Sequence, residues 1–178
     1  MSGFSHLDSS QRPAMVDVGG KNVTQRTATA EARVWLPASV TALFDGGEIR
    51  GPKGAVFQTA ILAGIMAAKK TDELIPLCHS LPLDDCKIDI AMEEASPSGQ
   101  TRAAGGCAVI VCSVKTSHRT GVEMEALTGA SVAALTLYDM CKALSHDIVI
   151  ERVRLMEKTG GKRDFRRGAD GKSTEPAA

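Results

Sequence analysis

Charge disappears from the chain between Ala126 and Tyr138. Around and within that stretch apolar side chains recur at Met124, Leu127, Ala134, Leu135, Tyr138 and Cys141, a spacing that suits a helical period better than a strand period. The pattern predicts a long helix over Gly121–Leu144. Its apolar surface is broader than one stripe, so it should pack on more than one side. Asp139 and Lys142 come next at a spacing of three residues, which puts them on one face near the helix end.

The same periodicities place the other elements. Ala30–Leu36 alternates, with Ala30, Ala32, Val34 and Leu36 on one strand face. Pro37 and Ser39 open a short helix expected through Phe44, closed by Asp45-Gly46-Gly47; residues 48–53 read as a polar loop. Gly54–Lys70 is a second apolar helix, ending in Lys69-Lys70, the charge expected at that end. Residues 74–83 carry two prolines and cannot form a regular helix interior. Lys87–Met92 is a half-buried strand, Ser96–Gly99 a turn, and Thr101–Lys115 its hairpin partner. Ile148–Met156 is a last strand before the basic, Gly-containing run 157–167. The order β-α-α-β-β-α-β predicts an α+β fold, with helices layered on a mainly antiparallel sheet.

Composition narrows the class. With 178 residues the chain suffices for one domain with a real core. Twenty-one basic residues match twenty-one acidic ones, so bulk charge does not point to nucleic acid. Aromatic residues make up only 3%, too few for base-stacking platforms. No apolar run approaches a membrane span and no signal peptide is visible, so we expect a cytoplasmic protein without a membrane partner. Five cysteines, an odd number with no C-x-x-C pair, read as reduced thiols; Cys78-His79 with Cys86 does not complete a four-ligand zinc pattern.

Several residues carry possible chemistry. Asp139 and Lys142 form either a surface helix pair worth tenths of a kcal/mol or, if burial tunes both groups, an acid–base pair. His79, in a Pro-bounded loop, is a ligand-contact candidate, and Cys78 beside it reads as structural. Lys53-Gly54 at a helix start suits an anion through its charge and free N–H groups. Glu123 and Glu125 open the long helix, where acids favour the dipole. Arg26, Lys53, Lys142, Lys158 and Lys162 stand near Gly-rich segments and suggest a phosphate-bearing small molecule. These cations alone do not define a reaction.

Taken in order, residues 15–21 (MVDVGGK), 53–57 (KGAVF), 63–81 (AGIMAAKKTDELIPLCHSL), 120–143 (TGVEMEALTGASVAALTLYDMCKA) and 158–165 (KTGGKRDF) resemble the cyclic pyranopterin monophosphate synthases of molybdenum cofactor biosynthesis, the MoaC family. The resemblance runs from Met15 to Phe165. It implies a ferredoxin-like α+β fold over 15–165, flanked by an N-terminal arm (1–14) and a disordered tail (166–178). It also implies a homohexamer, a trimer of dimers with interface active sites. The implied substrate is the GTP-derived (8S)-3′,8-cyclo-7,8-dihydroguanosine 5′-triphosphate. The implied products are cyclic pyranopterin monophosphate and diphosphate, the work of a lyase. Asp139 and Lys142 then match the catalytic pair and Lys53 a general acid, a role that requires burial or cationic neighbours to loosen its proton. Leu77, Cys78 and His79, with Glu123 and Met124, match substrate-contacting segments; Arg26 and Lys158 match cationic contacts to the triphosphate. No protein-held metal is expected, and whether a divalent cation such as magnesium accompanies the triphosphate is left open by the sequence.

The chain departs from the family pattern at Ala55, where Asp commonly follows Lys-Gly, and at Ser80, where Pro is usual. Its Gly-Gly-Lys162 segment is also one residue short. Ala55 bears on how Lys53 is oriented. The rival reading is a non-catalytic nucleotide- or phosphate-binding oligomer on the same fold, since fold alone does not carry function. A purely structural oligomer is the third. A carboxylate among the cations favours catalysis, because a sensor gains nothing from repelling its anion.

Overall fold

A computed structural model describes residue 10 and residues 12–94 and 104–168. Among the described residues twelve elements succeed one another: β1 (Thr24–Pro37), α1 (Ala38–Thr41), β2 (Phe44–Asp45), β3 (Glu48–Gly51), β4 (Gly54–Ala55), α2 (Val56–Ala68), α3 (Thr71–Leu74), β5 (Asp85–Glu94), β6 (Gly105–His118), α4 (Glu123–Cys141), β7 (Val149–Thr159) and β8 (Phe165–Arg166). The main sheet runs β5-β6-β1-β7-β8, antiparallel throughout. Its frame β1-α2-β5-β6-α4-β7 is the βαββαβ of a ferredoxin-like fold.

Alternation along β1 builds the core. Ala28, Ala30, Ala32, Val34 and Leu36 are buried on one face. They pair across β6 with Val114, Cys112, Ile110, Ala108 and Gly106, and the named β6 side chains from Ala108 to Val114 are buried too. Small β1 side chains let α4 settle close over the sheet, where Ala126, Ala130, Ala133, Ala134 and Leu137 are fully buried. Helix α2 packs beside α4 and over β5. At the crossing, a Cβ on Gly64 would stand 2.7 Å from the Gly129 carbonyl oxygen and in collision with Ile88 Cδ1. Only glycine permits that approach. The two helices still expose apolar surface at Leu62, Met66 and Leu135.

Three local expectations need correction. The short helix ends at Thr41, not Phe44, because Phe44-Asp45 pairs with Glu48-Ile49 as a hairpin around Gly46-Gly47. Residues 48–53 are therefore largely strand, since Arg50 and Gly51 also pair with Ala55 and Gly54. Pairing also continues past 165: Phe165-Arg166 pairs with Lys158 and Glu157, and the Arg167 amide donates to the Met156 carbonyl oxygen at 2.7 Å. The turn expected at Ser96–Gly99, most of residues 1–14 and the chain from 169 onward lie outside the described residues.

Candidate active site at the two ends of one helix

The predicted site residues gather at opposite ends of α4. At the C-terminal end, Lys53 sits at the tip of the β3–β4 hairpin, beside the last turn of the helix. Its Nζ donates to Asp139 Oδ2 at 2.9 Å and to the Asp139 carbonyl oxygen at 3.1 Å. Lys142 Nζ lies 2.7 Å from Asp139 Oδ1. One carboxylate thus holds two ammonium groups apart and aligned. Its hydrogen bonds, first to Lys142 and then to Lys53, pull the Asp139 carboxyl down to about 2, and the same contact raises Lys142.

The burial that would tune this pair is not provided by the single chain. The Asp139, Lys142 and Lys53 side chains are 53%, 48% and 45% exposed. The close charged partner of Lys53 is a carboxylate, not a cation. The anion site expected at the start of α2 is also already filled. Glu48 accepts hydrogen bonds there from the amides of Phe57 (2.7 Å) and Gln58 (3.2 Å), so the chain caps its own helix.

At the N-terminal end of α4 lies a cavity of about 450 Å³. Lys21, Arg26, Arg119, Lys158, Lys162 and Arg163 line it, with Glu123 as its one carboxylate. Lys158 Nζ is 3.2 Å from Glu123 Oε1. The Arg26 Nε is buried without a hydrogen-bond partner, a donor in want of an acceptor. The wall formed by 158–163 is tight because Gly160 has φ of 80° and lies against Gln25, where a side chain would collide with the carbonyl oxygen. Thr24 Oγ1 donates to the Gly160 carbonyl oxygen at 3.0 Å and clips that turn to β1.

The loop bearing Leu77, Cys78 and His79 belongs to this same end. Burial, then the charges of Glu125 and Asp72, raise the Cys78 thiol, which leaves it protonated and in keeping with a structural thiol. His79 Nε2 meets the Val16 carbonyl oxygen at 2.9 Å, so its visible partner is the N-terminal segment of the chain itself. Met124 is exposed at the helix start.

Sequence reasoning missed two features here. The sequence reading gives Arg119 no role, yet it lines the cavity; its place two residues before Gly121, on the approach to α4, is the available signal. Glu125 was read as a dipole partner, yet it is only 4% exposed. Burial, then its own backbone contact working the other way, then Glu123 and Asp72 set its proton affinity, pushed up to about 7. Helical phase put Glu125 on the side of Ala126 and Gly129, but only packing shows that this side is closed.

Among the described residues no group of three or more His, Cys, Asp or Glu is placed to hold a metal ion. The cavity's donor set is cationic and fits phosphate oxygens. Asp139 lies sixteen residues after Glu123, so the two clusters are separated by about 24 Å along the helix axis. Within one chain they do not form a single reaction centre.

Comparison with known proteins gives this arrangement a setting. Cyclic pyranopterin monophosphate synthase of Xanthomonas campestris pv. campestris (strain B100) is 53% identical over 162 residues, covering 91% of this chain and 92% of the relative. The protein of that name in Xanthomonas oryzae pv. oryzae (strain MAFF 311018) is 53% identical over 164 residues, again 91% and 92%. A molybdenum cofactor biosynthesis bifunctional protein of Synechocystis sp. (strain ATCC 27184 / PCC 6803 / Kazusa) is 48% identical over 161 residues, covering 90% of this chain and 45% of its own length. Residues 15–161, which carry both ends of α4 and most of the cavity lining, match the MoaC family, and the chain belongs to that family.

Proposed function

We propose that this protein is a cyclic pyranopterin monophosphate synthase, a phosphorus–oxygen lyase. It converts (8S)-3′,8-cyclo-7,8-dihydroguanosine 5′-triphosphate to cyclic pyranopterin monophosphate and diphosphate. The observation that carries the reading is the Lys53–Asp139–Lys142 cluster, a carboxylate bonded to two ammonium groups, in a chain of this family.

The chemistry asks for two kinds of help. Opening the purine and closing the pyranopterin require protons to be moved at ring nitrogens. Closing the cyclic phosphate requires a sugar hydroxyl to attack the innermost phosphorus while diphosphate leaves. Lys53 and Lys142 supply the protons, and the ionised Asp139 orients them and takes up charge that develops beside it. At the other end of α4, Arg26, Lys158 and the neighbouring cations spread the charge of the triphosphate and of the leaving diphosphate. A magnesium ion would enter on the triphosphate oxygens and not on protein ligands.

The separation of the two clusters supports a site completed by a second copy. The C-terminal end of one α4 faces the N-terminal end of another, in a hexamer built from dimers. The exposed Leu62, Met66 and Leu135 supply apolar surface for such packing. A facing subunit would also exclude water from Asp139 and its lysines, the burial that the protomer lacks.

Purified protein supplied with the cyclised dihydroguanosine triphosphate should release diphosphate and form the pyranopterin together. The Asp139→Asn variant should keep its oligomeric state and lose turnover by at least about a hundredfold, the usual scale for removing a charged catalytic group. Tight binding without product by the unaltered protein would sink the enzyme reading in favour of a phosphate-binding oligomer.

A further inference from the structure

Residues 15–20 have no part in the chemistry proposed for the site, yet His79 is bonded to them. A carbonyl oxygen only accepts, so the His79 Nε2 at 2.9 Å from Val16 O must donate. The bond joins residues 63 apart in sequence and ties the segment to the loop before β5. Val16 and Val18 are half-buried, whereas Met15, Asp17 and Gly19 between and beside them are exposed. The segment therefore lies extended along the body, with one side down.

Beyond this anchor the chain turns tightly. The Gly19 amide donates to Asp17 Oδ1 at 2.7 Å, and the Lys21 amide donates to the Val18 carbonyl oxygen at 3.0 Å. Two consecutive turns thus connect Val16 to Lys21, and such turns transmit position better than an open coil. Lys21 ends the path on the wall of the cationic cavity, with Arg26 and Lys158.

We propose that His79 is a positioning residue: through Val16 it holds segment 15–21 as a strap that presents Lys21 to the phosphate chain in the cavity. The proposal rests on the reading that this cavity takes the triphosphate end of the substrate. It assigns His79 work on the protein's own backbone and Lys21 the contact with the anion.

Two measurements on the full-length assembled protein test it. The first needs no ligand: trypsin cleavage after Lys21, followed by mass spectrometry. His79→Ala should accelerate that cleavage about tenfold, the scale set by losing one anchoring hydrogen bond. His79→Gln, which keeps a side-chain donor, should restore most of the protection. The second is calorimetric binding of inorganic triphosphate to the unaltered protein, Lys21→Ala, His79→Ala and the double variant. Each single change should weaken binding about five- to tenfold, and the double variant should be no weaker than Lys21→Ala alone.

Unchanged cleavage in His79→Ala overturns the strap. Multiplying losses in the double variant overturn the coupling and return His79 to direct contact with the anion. Failure of the unaltered protein to bind triphosphate would refute the functional reading and the presentation of Lys21 with it. The cleavage result would then judge the anchor by itself.

Discussion

At the scale of single residues, Asp139 and Glu125, two of the three acids on α4, are tuned in opposite directions by their surroundings. Asp139 stands exposed between two ammonium groups and is held ionised at any pH near neutrality. Glu125 is enclosed near Cys78, Glu123 and Asp72 and keeps its proton up to about 7. Because the folded state binds this proton more tightly than the unfolded chain, the stabilisation is fully present below about 4.5 and is lost as pH rises through about 7. Glu125→Gln should remove that loss. In urea titrations it should be more stable than the unaltered protein at pH 8, by on the order of 3 kcal/mol, relative to the difference between them at pH 4. An equal difference between the two proteins at both pH values would mean that the Glu125 carboxyl does not titrate in that range.

At the scale of elements, the helix pair α2–α4 depends on the glycines at its crossing. Gly64→Ala would push a methyl group to 2.7 Å from the Gly129 carbonyl oxygen, a backbone atom that can retreat only if the helices part. We expect a loss of about 1–3 kcal/mol, the cost of overpacking a close contact, read as a lower midpoint in thermal unfolding. An unchanged midpoint would show that the helices can separate without penalty. The small-residue spacing that predicts a close approach is plain in the sequence, as is the alternation of β1 and β5. The β2–β3–β4 hairpins were not legible, because strands of two to four residues carry too few positions for a period to register. Glu48 capping α2 across its own hairpin was equally hidden, since that partnership spans 9 and 10 residues and matches no capping-box spacing.

At the scale of the whole molecule, α4 carries one charged cluster at each end, Lys53–Asp139–Lys142 and the cationic cavity. If two copies complete one another, two inactive variants should rescue each other. Asp139→Asn and Lys158→Ala subunits, unfolded and reassembled together, would leave about one quarter of the sites with both ends intact. Activity near that fraction of the unaltered protein is expected in the mixed assembly, against almost none in either variant alone. No recovery on mixing would place both ends of the site in one subunit and reject the shared arrangement.

The amino-acid sequence by itself determined what recurs at short range: the alternation of β1, the apolar breadth of α2 and α4, and the sharing of one helix face by Asp139 and Lys142. Its ordered motifs also carried the family, since Lys53, His79 and Asp139 each stand in a distinctive local pattern. Only the tertiary structure decided which of these residues meet. It put Lys53, 86 residues away, against Asp139 and sent Glu123 to Lys158 at the far end of the same helix. It gave His79 a backbone partner and enclosed Glu125. Side-chain period is a property of neighbours along the chain, whereas burial and charge pairing depend on what other segments bring. That is why the elements were readable from the sequence and the electrostatics of the site were not.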